Sequence, residues 1–302
     1  MHQLGYVLLL LATLAWSFVG VLVKTAATMV DSSIISFARF FFGVVFLGVY
    51  LLIKDRKIRL WTAFVWIWLG ALGKAANYIF ENIALSIGFS YGNILVQPVQ
   101  TVVLLFAARL LLKEKISGRG WIASAFCVLG VLIIGWNGLP LDELLDGNGL
   151  TTLLYTLAGI GAAVHVWSQR VLVKKMDSGN MNFSVFLWAS LITAAPIPVQ
   201  SEGFAGQITF GAWAALIILG VITGLSFLSL AEAMKRVPFA IVAIVGNCSV
   251  FFSILWSHLF FHEPITGYII CGTFVFVAGF LILNMKLPKR ASKANKESSL
   301  AT

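Results

Sequence analysis

The stretch Gly70–Leu85, GALGKAANYIFENIAL, decides how this chain is read. It lies inside an apolar run from Trp61 to Ile87 that holds no proline. Within it Lys74, Asn77, Tyr78 and Glu81 recur at i, i+3, i+4 and i+7, the spacing of one helix face. At about 1.5 Å of rise per residue, Lys74 and Glu81 stand roughly 10 Å apart along that face. Each charge costs about 2.5–3.5 kcal/mol at a bilayer centre on insertion scales. A polar stripe on an otherwise apolar helix points to a ligand or to an internal ion pair, and this stretch alone leaves both readings open.

Composition sets the class around that helix. Of 302 residues, 60% are hydrophobic and 11% charged, and the mean hydropathy is +0.95. Soluble domains carry about 25% charged residues, so the chain reads as a multi-pass membrane protein whose surroundings are a lipid bilayer. A net charge of +9 would suggest nucleic acid for a soluble protein. Here the basic residues fall in short connections and the tail, where they mark a cytoplasmic face, and no nucleic-acid partner is implied. Cys127, Cys248 and Cys271 lie inside apolar runs, with no CxxC pair and no disulfide framework. The N-terminal MHQLGYVLLLLATLAWSFVGVLVK has no basic segment ahead of its apolar core and reads as a retained first helix.

Apolar runs long enough to span a bilayer, about 20 residues each, fall near 4–23, 33–53, 61–87, 90–112 and 119–137. Five more fall near 150–172, 181–199, 209–233, 238–261 and 265–286. The expected fold is therefore all-α and integral to the membrane, with ten transmembrane helices. The tail, residues 287–302, is polar and basic and reads as disordered. Lys54, Arg56, Lys57 and Arg59 follow helix 2, Lys113, Lys115 and Arg119 follow helix 4, and Arg170, Lys174 and Lys175 close helix 6. Lys235 and Arg236 close helix 8, so all these groups fall on the side of the basic tail. The opposite connections hold Asp142, Glu143, Asp146 and Glu202, with Lys24 as the exception. Both termini are accordingly expected in the cytoplasm, with the protein in the plasma (inner) membrane.

The chain also repeats itself. VLVK occurs at Val21–Lys24 and again at Val171–Lys174, 150 residues later. Leu69-Gly70 matches Leu219-Gly220 at the same offset, and Glu114–Gly118 (EKISG) matches Glu263–Gly267 (EPITG) after one deletion. A single register over both halves argues for duplication. Five helices per half is an odd number, so the two copies, 4–137 and 150–286, would lie inverted relative to each other, as in secondary transporters with a site near the midplane.

Several of these segments carry a family resemblance. They are Ala84–Pro98 (ALSIGFSYGNILVQP), Leu110–Gly118 (LLLKEKISG) and Gly130, then Glu232–Ile241 (EAMKRVPFAI), Phe260–Gly267 (FFHEPITG) and Gly279. Trp16 and Ala38-Arg39-Phe40 also fit. Over residues 4–286 the chain resembles the EamA-type members of the drug/metabolite transporter superfamily. That resemblance implies a ten-helix transporter with a central cavity lined mainly by helices 1, 3, 4, 6, 8 and 9. It also implies a cargo among amino acids, other small metabolites, nucleotide-type solutes or drugs. One departure is visible: Cys248 stands where a proline is expected opposite Pro98.

The candidate site residues follow from asymmetry between the halves. At the 150-residue offset, Lys74, Asn77, Tyr78 and Glu81 fall opposite Gly224, Phe227, Leu228 and Ala231, so the stripe belongs to one half only. Lys74 would meet an anionic group and Glu81 a cationic one, unless they neutralise each other or neighbouring helices. Asn93, Gln97, Gln100 and Thr101 share a face of helix 4, where Pro98 should kink the helix. Asn247 mirrors Gln97, with Ser249 and Ser253 near it. Gln97 and Asn247 are the expected cavity amides; interhelical packing is the other reading. His165 in helix 6 is a candidate for substrate contact or proton relay, as against a histidine bonded between helices. Trp16 and Tyr78 would form an aromatic wall. Glu81 and His165 are the candidate proton-coupling groups. Arg39 reads as snorkelling, or as pairing with Asp31 or a carbonyl, outside the transport path. His258 and His262 sit at i, i+4, but the HExxH order is missing, and neither a metal nor a cofactor is called for.

The leading function is a secondary transporter of a small polar or zwitterionic metabolite, amino-acid-like, working by alternating access in efflux or exchange. No Walker motif is present. The alternatives are a multidrug or organic-cation exporter and, from other classes, a membrane-embedded enzyme or a non-transporting receptor or scaffold. The expected partners are a small-molecule solute and lipid; a homodimer is compatible with the sequence.

Overall fold

A computed structural model describes residues 2–87, 95–110, 117–138, 149–195, 197, 206, 208–238, 241–242 and 245–284. Side chains in helices capped by short polar residues set many of the boundaries. Helix α1 (His2–Ser17) breaks at Phe18 and continues as α2 (Val19–Ala26). The Asp31 carboxylate accepts from Ser33 N at 2.8 Å and Ile34 N at 3.0 Å, which starts α3 (Ser32–Asp55). Ser117, Asp177 and Thr209 cap α6 (Gly118–Trp136), α8 (Ser178–Ala194) and α9 (Phe210–Met234) in the same way. Between them run α4 (Val65–Ile87), α5 (Val96–Leu110) and α7 (Gly149–Leu172). A 3₁₀ turn at Gly246–Cys248 leads into α10 (Ser249–Phe261), and α11 (Gly267–Asn284) follows. Arg56, Asn137 and His262 close α3, α6 and α10 in the left-handed conformation.

Among the described residues, four helices are long and apolar enough to cross a membrane: Gln3–Ala26 (through the break at Phe18), Ser32–Asp55, Leu150–Leu172 and Phe210–Met234. Shorter apolar helices include Val96–Leu110 and Ser249–Phe261. Helix α4 has 23 residues but is not among the four, because Lys74, Asn77, Glu81 and Asn82 lower its hydropathy. The outer surface is apolar, with Phe210, Ile53 and Phe274 prominently exposed. Such a surface suits a lipid solvent, in which backbone groups must be satisfied within helices. No strand occurs among the described residues.

Three local readings of the sequence shift. The run 61–87 becomes helical only at Val65, because α8 side chains hold the preceding backbone. Arg59 N donates to Asn180 Oδ1 at 2.7 Å and Trp61 N to Ser184 Oγ at 3.0 Å. Pro98 lies in the first turn of α5 as described (Val96–Leu110), not in its middle. The Cys248 region is a 3₁₀-to-α junction, so the chain changes geometry there without a proline.

At two helix crossings the backbones come into contact where two glycines meet. Helix α4 packs most extensively on α7, and α6 on α11. A Cβ on Gly73 would lie 2.8 Å from Gly161 O, and one on Gly161 would lie 2.6 Å from Gly73 O. Gly130 and Gly272 repeat this arrangement between α6 and α11. Small residues let membrane helices approach to backbone contact. Helix α3 sits between α8 and α9, and α1 lies against α9. Lys24 of α2 reaches Glu263, just before α11, at 3.1 Å. Gly161→Val is expected to lower the melting temperature of the detergent-purified protein, since overpacking costs about 1–3 kcal/mol. Gly211→Ala, where a Cβ meets nothing within 4 Å, should leave it unchanged.

Candidate functional site

The polar stripe of α4 faces an open cavity lined by residues from both halves of the chain. Helix α4 contributes Lys74, Asn77, Tyr78 and Glu81, and α5 contributes Val96, Gln97 and Gln100. Trp16 of α1, Val19 of α2 and Arg39 of α3 close one side. Ala162 and Val166 of α7, Phe227 of α9, and Ser249 and Ser253 of α10 supply the other.

Arg39 is the residue that sequence reasoning misplaced. It lies some six residues into α3, but it is 1% exposed and reaches into the bundle, not toward an interface. Its Nη1 lies 3.6 Å from Glu81 Oε2 and donates to Asn82 Oδ1 at 2.8 Å. Its Cζ is 3.4 Å from the Tyr78 ring centroid. Asn82 Nδ2 in turn donates to Ser36 Oγ at 2.8 Å, so the pair is tied into α3 at a second point. Spacing on α4 was no guide to this partner, because Arg39 belongs to another helix; its depth in an apolar run was the only available signal.

Lys74 is placed differently. Its Nζ donates to Asn77 Oδ1 at 2.5 Å and lies 4.0 Å from the Tyr78 ring centroid and 4.4 Å from that of Phe227. The carboxylate within salt-bridge distance of Arg39 is Glu81, and no described carboxylate is that close to Lys74. The two charges of the stripe therefore do not neutralise each other directly. Asn77 is held by its Nδ2 donating to Ala158 O of α7 at 3.1 Å. The Tyr78 hydroxyl is 3.1 Å from Thr223 Oγ1 of α9, and Phe40 stacks on its ring at 4.8 Å.

Of the other expected site residues, Trp16 and Gln97 line the same cavity, with the Trp16 ring 5.1 Å from Phe227. Neither Gln97 nor Gln100 has a hydrogen-bond partner among the described residues, so both amides are available to a ligand. His165 stands behind the lining. It is fully buried, with Nδ1 3.0 Å from Gly70 O and its ring edge-on to Phe227 at 4.9 Å. Its Nε2 has no partner among the described residues. The side chain of Asn247, and Asn93 altogether, lie outside the described residues. His258 Nδ1 is 2.9 Å from Glu263 O, and His262 caps α10. No group of three or more metal-ligating side chains occurs among the described residues.

Helical spans with an apolar exterior and a cavity lined by polar side chains define a membrane protein. Its sequence matches the EamA-like transporter family over residues 3–136 and again over 150–285, and the chain belongs to that family. It is 27% identical over 297 residues to the Escherichia coli protein named "Uncharacterized inner membrane transporter YhbE", covering 91% of this chain and 89% of that one. It is 24% identical over 298 residues to an "Uncharacterized transporter" of Haemophilus influenzae, covering 92% and 94%. A solved crystal structure with 14% identity superposes with a TM-score of 0.75 over 93% of this chain and 96% of the other, a likeness of fold alone.

The Arg39–Glu81 pair makes a stability prediction. Arg39→Met should cost about 3–5 kcal/mol, because it strands a buried carboxylate. Arg39→Met combined with Glu81→Leu should cost less than Arg39→Met alone, by non-additivity of contacting sites. Thermal unfolding of the wild type and the two purified variants in one detergent ranks them.

Proposed function

We propose that this protein is a secondary transporter that moves a small polar organic metabolite across the inner membrane by alternating access, in efflux or exchange. The observation that carries this reading is the lining of the cavity. It is drawn from both family-matched segments, with the polar stripe of α4 on one side and α7, α9 and α10 on the other. The proposed architecture is ten spanning helices in two inverted repeats, 4–137 and 150–286, with a basic cytoplasmic tail. Support comes from the family matching twice, and from the pairing of α4 with α7, α1 with α9 and α6 with α11. Each of these contacts joins an element of one matched segment to one of the other. The printed names of the relatives favour transport over the enzyme and scaffold readings, and the YhbE name favours the inner membrane.

Within this reading Lys74, Asn77, Tyr78, Glu81, Gln97, Asn247 and Trp16 face the solute at some stage of the cycle. Glu81 and His165 are the groups through which a proton gradient would act. An organic-cation exporter fits less well, since the described lining holds two cationic side chains and one carboxylate.

Two measurements test this function. In proteoliposomes loaded with a mixture of small metabolites, the wild type should exchange at least one labelled solute. Lys74→Ala should lose at least tenfold in rate while expressing and purifying normally; an unaffected rate would make the stripe structural. For topology, Ser298→Cys in a cysteine-free background should react with a membrane-impermeant maleimide only in inside-out vesicles.

A further inference from the structure

The charged groups of the cavity are not equivalent. Among the described residues three charged side chains line it, namely Arg39, Lys74 and Glu81. Glu81 and Arg39 lie 3.6 Å apart, and Arg39 is held besides by Asn82 and by the ring of Tyr78. They form the ion pair of the described lining. Lys74 is left over: 5% exposed, with three donors on its ammonium and one acceptor, Asn77 Oδ1, among the described residues. The remaining surroundings on record are ring faces, Tyr78 and Phe227. Ring faces attract a cation but accept no conventional N–H bond, and a buried donor left unmet costs about 1–3 kcal/mol.

We propose that the cavity takes a small organic monoanion, a carboxylate with a compact apolar body, and that the Lys74 ammonium receives its charge. The assignment rests on the cavity being the transport site, and it narrows the substrate from polar or zwitterionic solutes to acids. One uncommitted cation matches one negative charge. A carboxylate beside Lys74 gives its free donors acceptors, and it favours the charged form of the amine by direct attraction. A zwitterion would need a second, anionic partner for its ammonium. Glu81 is already engaged by Arg39, and the Phe227 ring, which might otherwise take an ammonium, already carries Lys74. The rest of the lining suits an apolar body: Trp16, Val19, Val166 and Phe227. The amides of Gln97 and Gln100, which have no hydrogen-bond partner among the described residues, are placed for the second oxygen or a hydroxyl.

The test uses the full chain in nanodiscs and two matched sets of probes that differ only in charge. One set is 3-phenylpropionate, phenylalanine and phenethylamine; the other is isocaproate, leucine and isopentylamine. Binding is read by tryptophan fluorescence, since Trp16 lines the cavity, and flux is read in proteoliposomes. The carboxylate of at least one set should bind saturably and at least tenfold tighter than its zwitterion, with no saturable response to the amine. Lys74→Met, which keeps the bulk and removes the charge, should lose at least tenfold in carboxylate affinity. If that variant fails to fold, the ranking of the three charge classes on the wild type still decides. A zwitterion or amine that binds as tightly as its carboxylate overturns the anion assignment, and its flux would leave the transporter reading standing. Absence of saturable carboxylate binding in both sets also overturns it. Carboxylate binding that depends on Lys74 but never yields flux upholds the anion site and removes the transporter reading instead.

Discussion

An arginine and a glutamate buried between apolar helices constrain everything around them. Removing two ions from water costs several kilocalories per mole each, and mutual attraction repays this only with good geometry and further hydrogen bonds. At 3.6 Å the Arg39–Glu81 contact alone is a weak solution, and the surroundings complete it. Asn82 accepts from the guanidinium, Ser36 accepts from Asn82, and Tyr78 lies against the guanidinium carbon. These groups come from α3 and α4, so the register of the two helices is fixed wherever the pair is satisfied. Tyr78 then reaches Thr223 on α9, and Asn77 reaches Ala158 on α7. The polar interior thus ties four helices together at one level of the bundle.

Close backbone approach makes that arrangement achievable. Asn77 can reach a main-chain carbonyl of α7 only because Gly73 and Gly161 let the two helices touch. His165 uses the same proximity from the other side, through Gly70 O. Larger side chains at this crossing would separate the helices, and the donors on α4 would lose their partners on α7. Packing and polar satisfaction are therefore one constraint here, because hydrocarbon offers no water to repair a missed bond.

The sequence made the helices and the stripe legible, but not the partners. Lys74, Asn77, Tyr78 and Glu81 were readable because helical spacing is a property of one segment. Which of the two charges was committed depended on Arg39, thirty-five positions before Lys74, and spacing within α4 carries no information about another helix. The distance of Arg39 from the start of α3 suggests snorkelling or a pair with Asp31 or a carbonyl, whereas its depth in the fold follows from Asn82 and Glu81 on the facing helix. His165 shows a similar limit. Its sequence neighbours leave a lining role and a bond between helices both open, and in the fold its Nδ1 lies 3.0 Å from Gly70 O of α4 while its ring packs edge-on to Phe227. The stretch from Trp61 was read as helix from its hydrophobicity, and side chains of α8 claimed its backbone donors instead.

The asymmetry between the two halves has a structural expression in the cavity. At the 150-residue offset Phe227 corresponds to Asn77, and the two residues meet the same ammonium. Asn77 accepts from Lys74, whereas Phe227 offers it a ring at 4.4 Å. Around this one ammonium, then, the first half provides a hydrogen-bond acceptor and the second an aromatic face, while both halves add aromatic and polar groups elsewhere in the lining (Trp16 and Gln97 from the first, Phe227, Ser249 and Ser253 from the second). The duplicated scaffold therefore does not impose like surroundings on a buried charge, because a single position, Asn77 in one half and Phe227 in the other, decides whether the charge meets an acceptor or a ring.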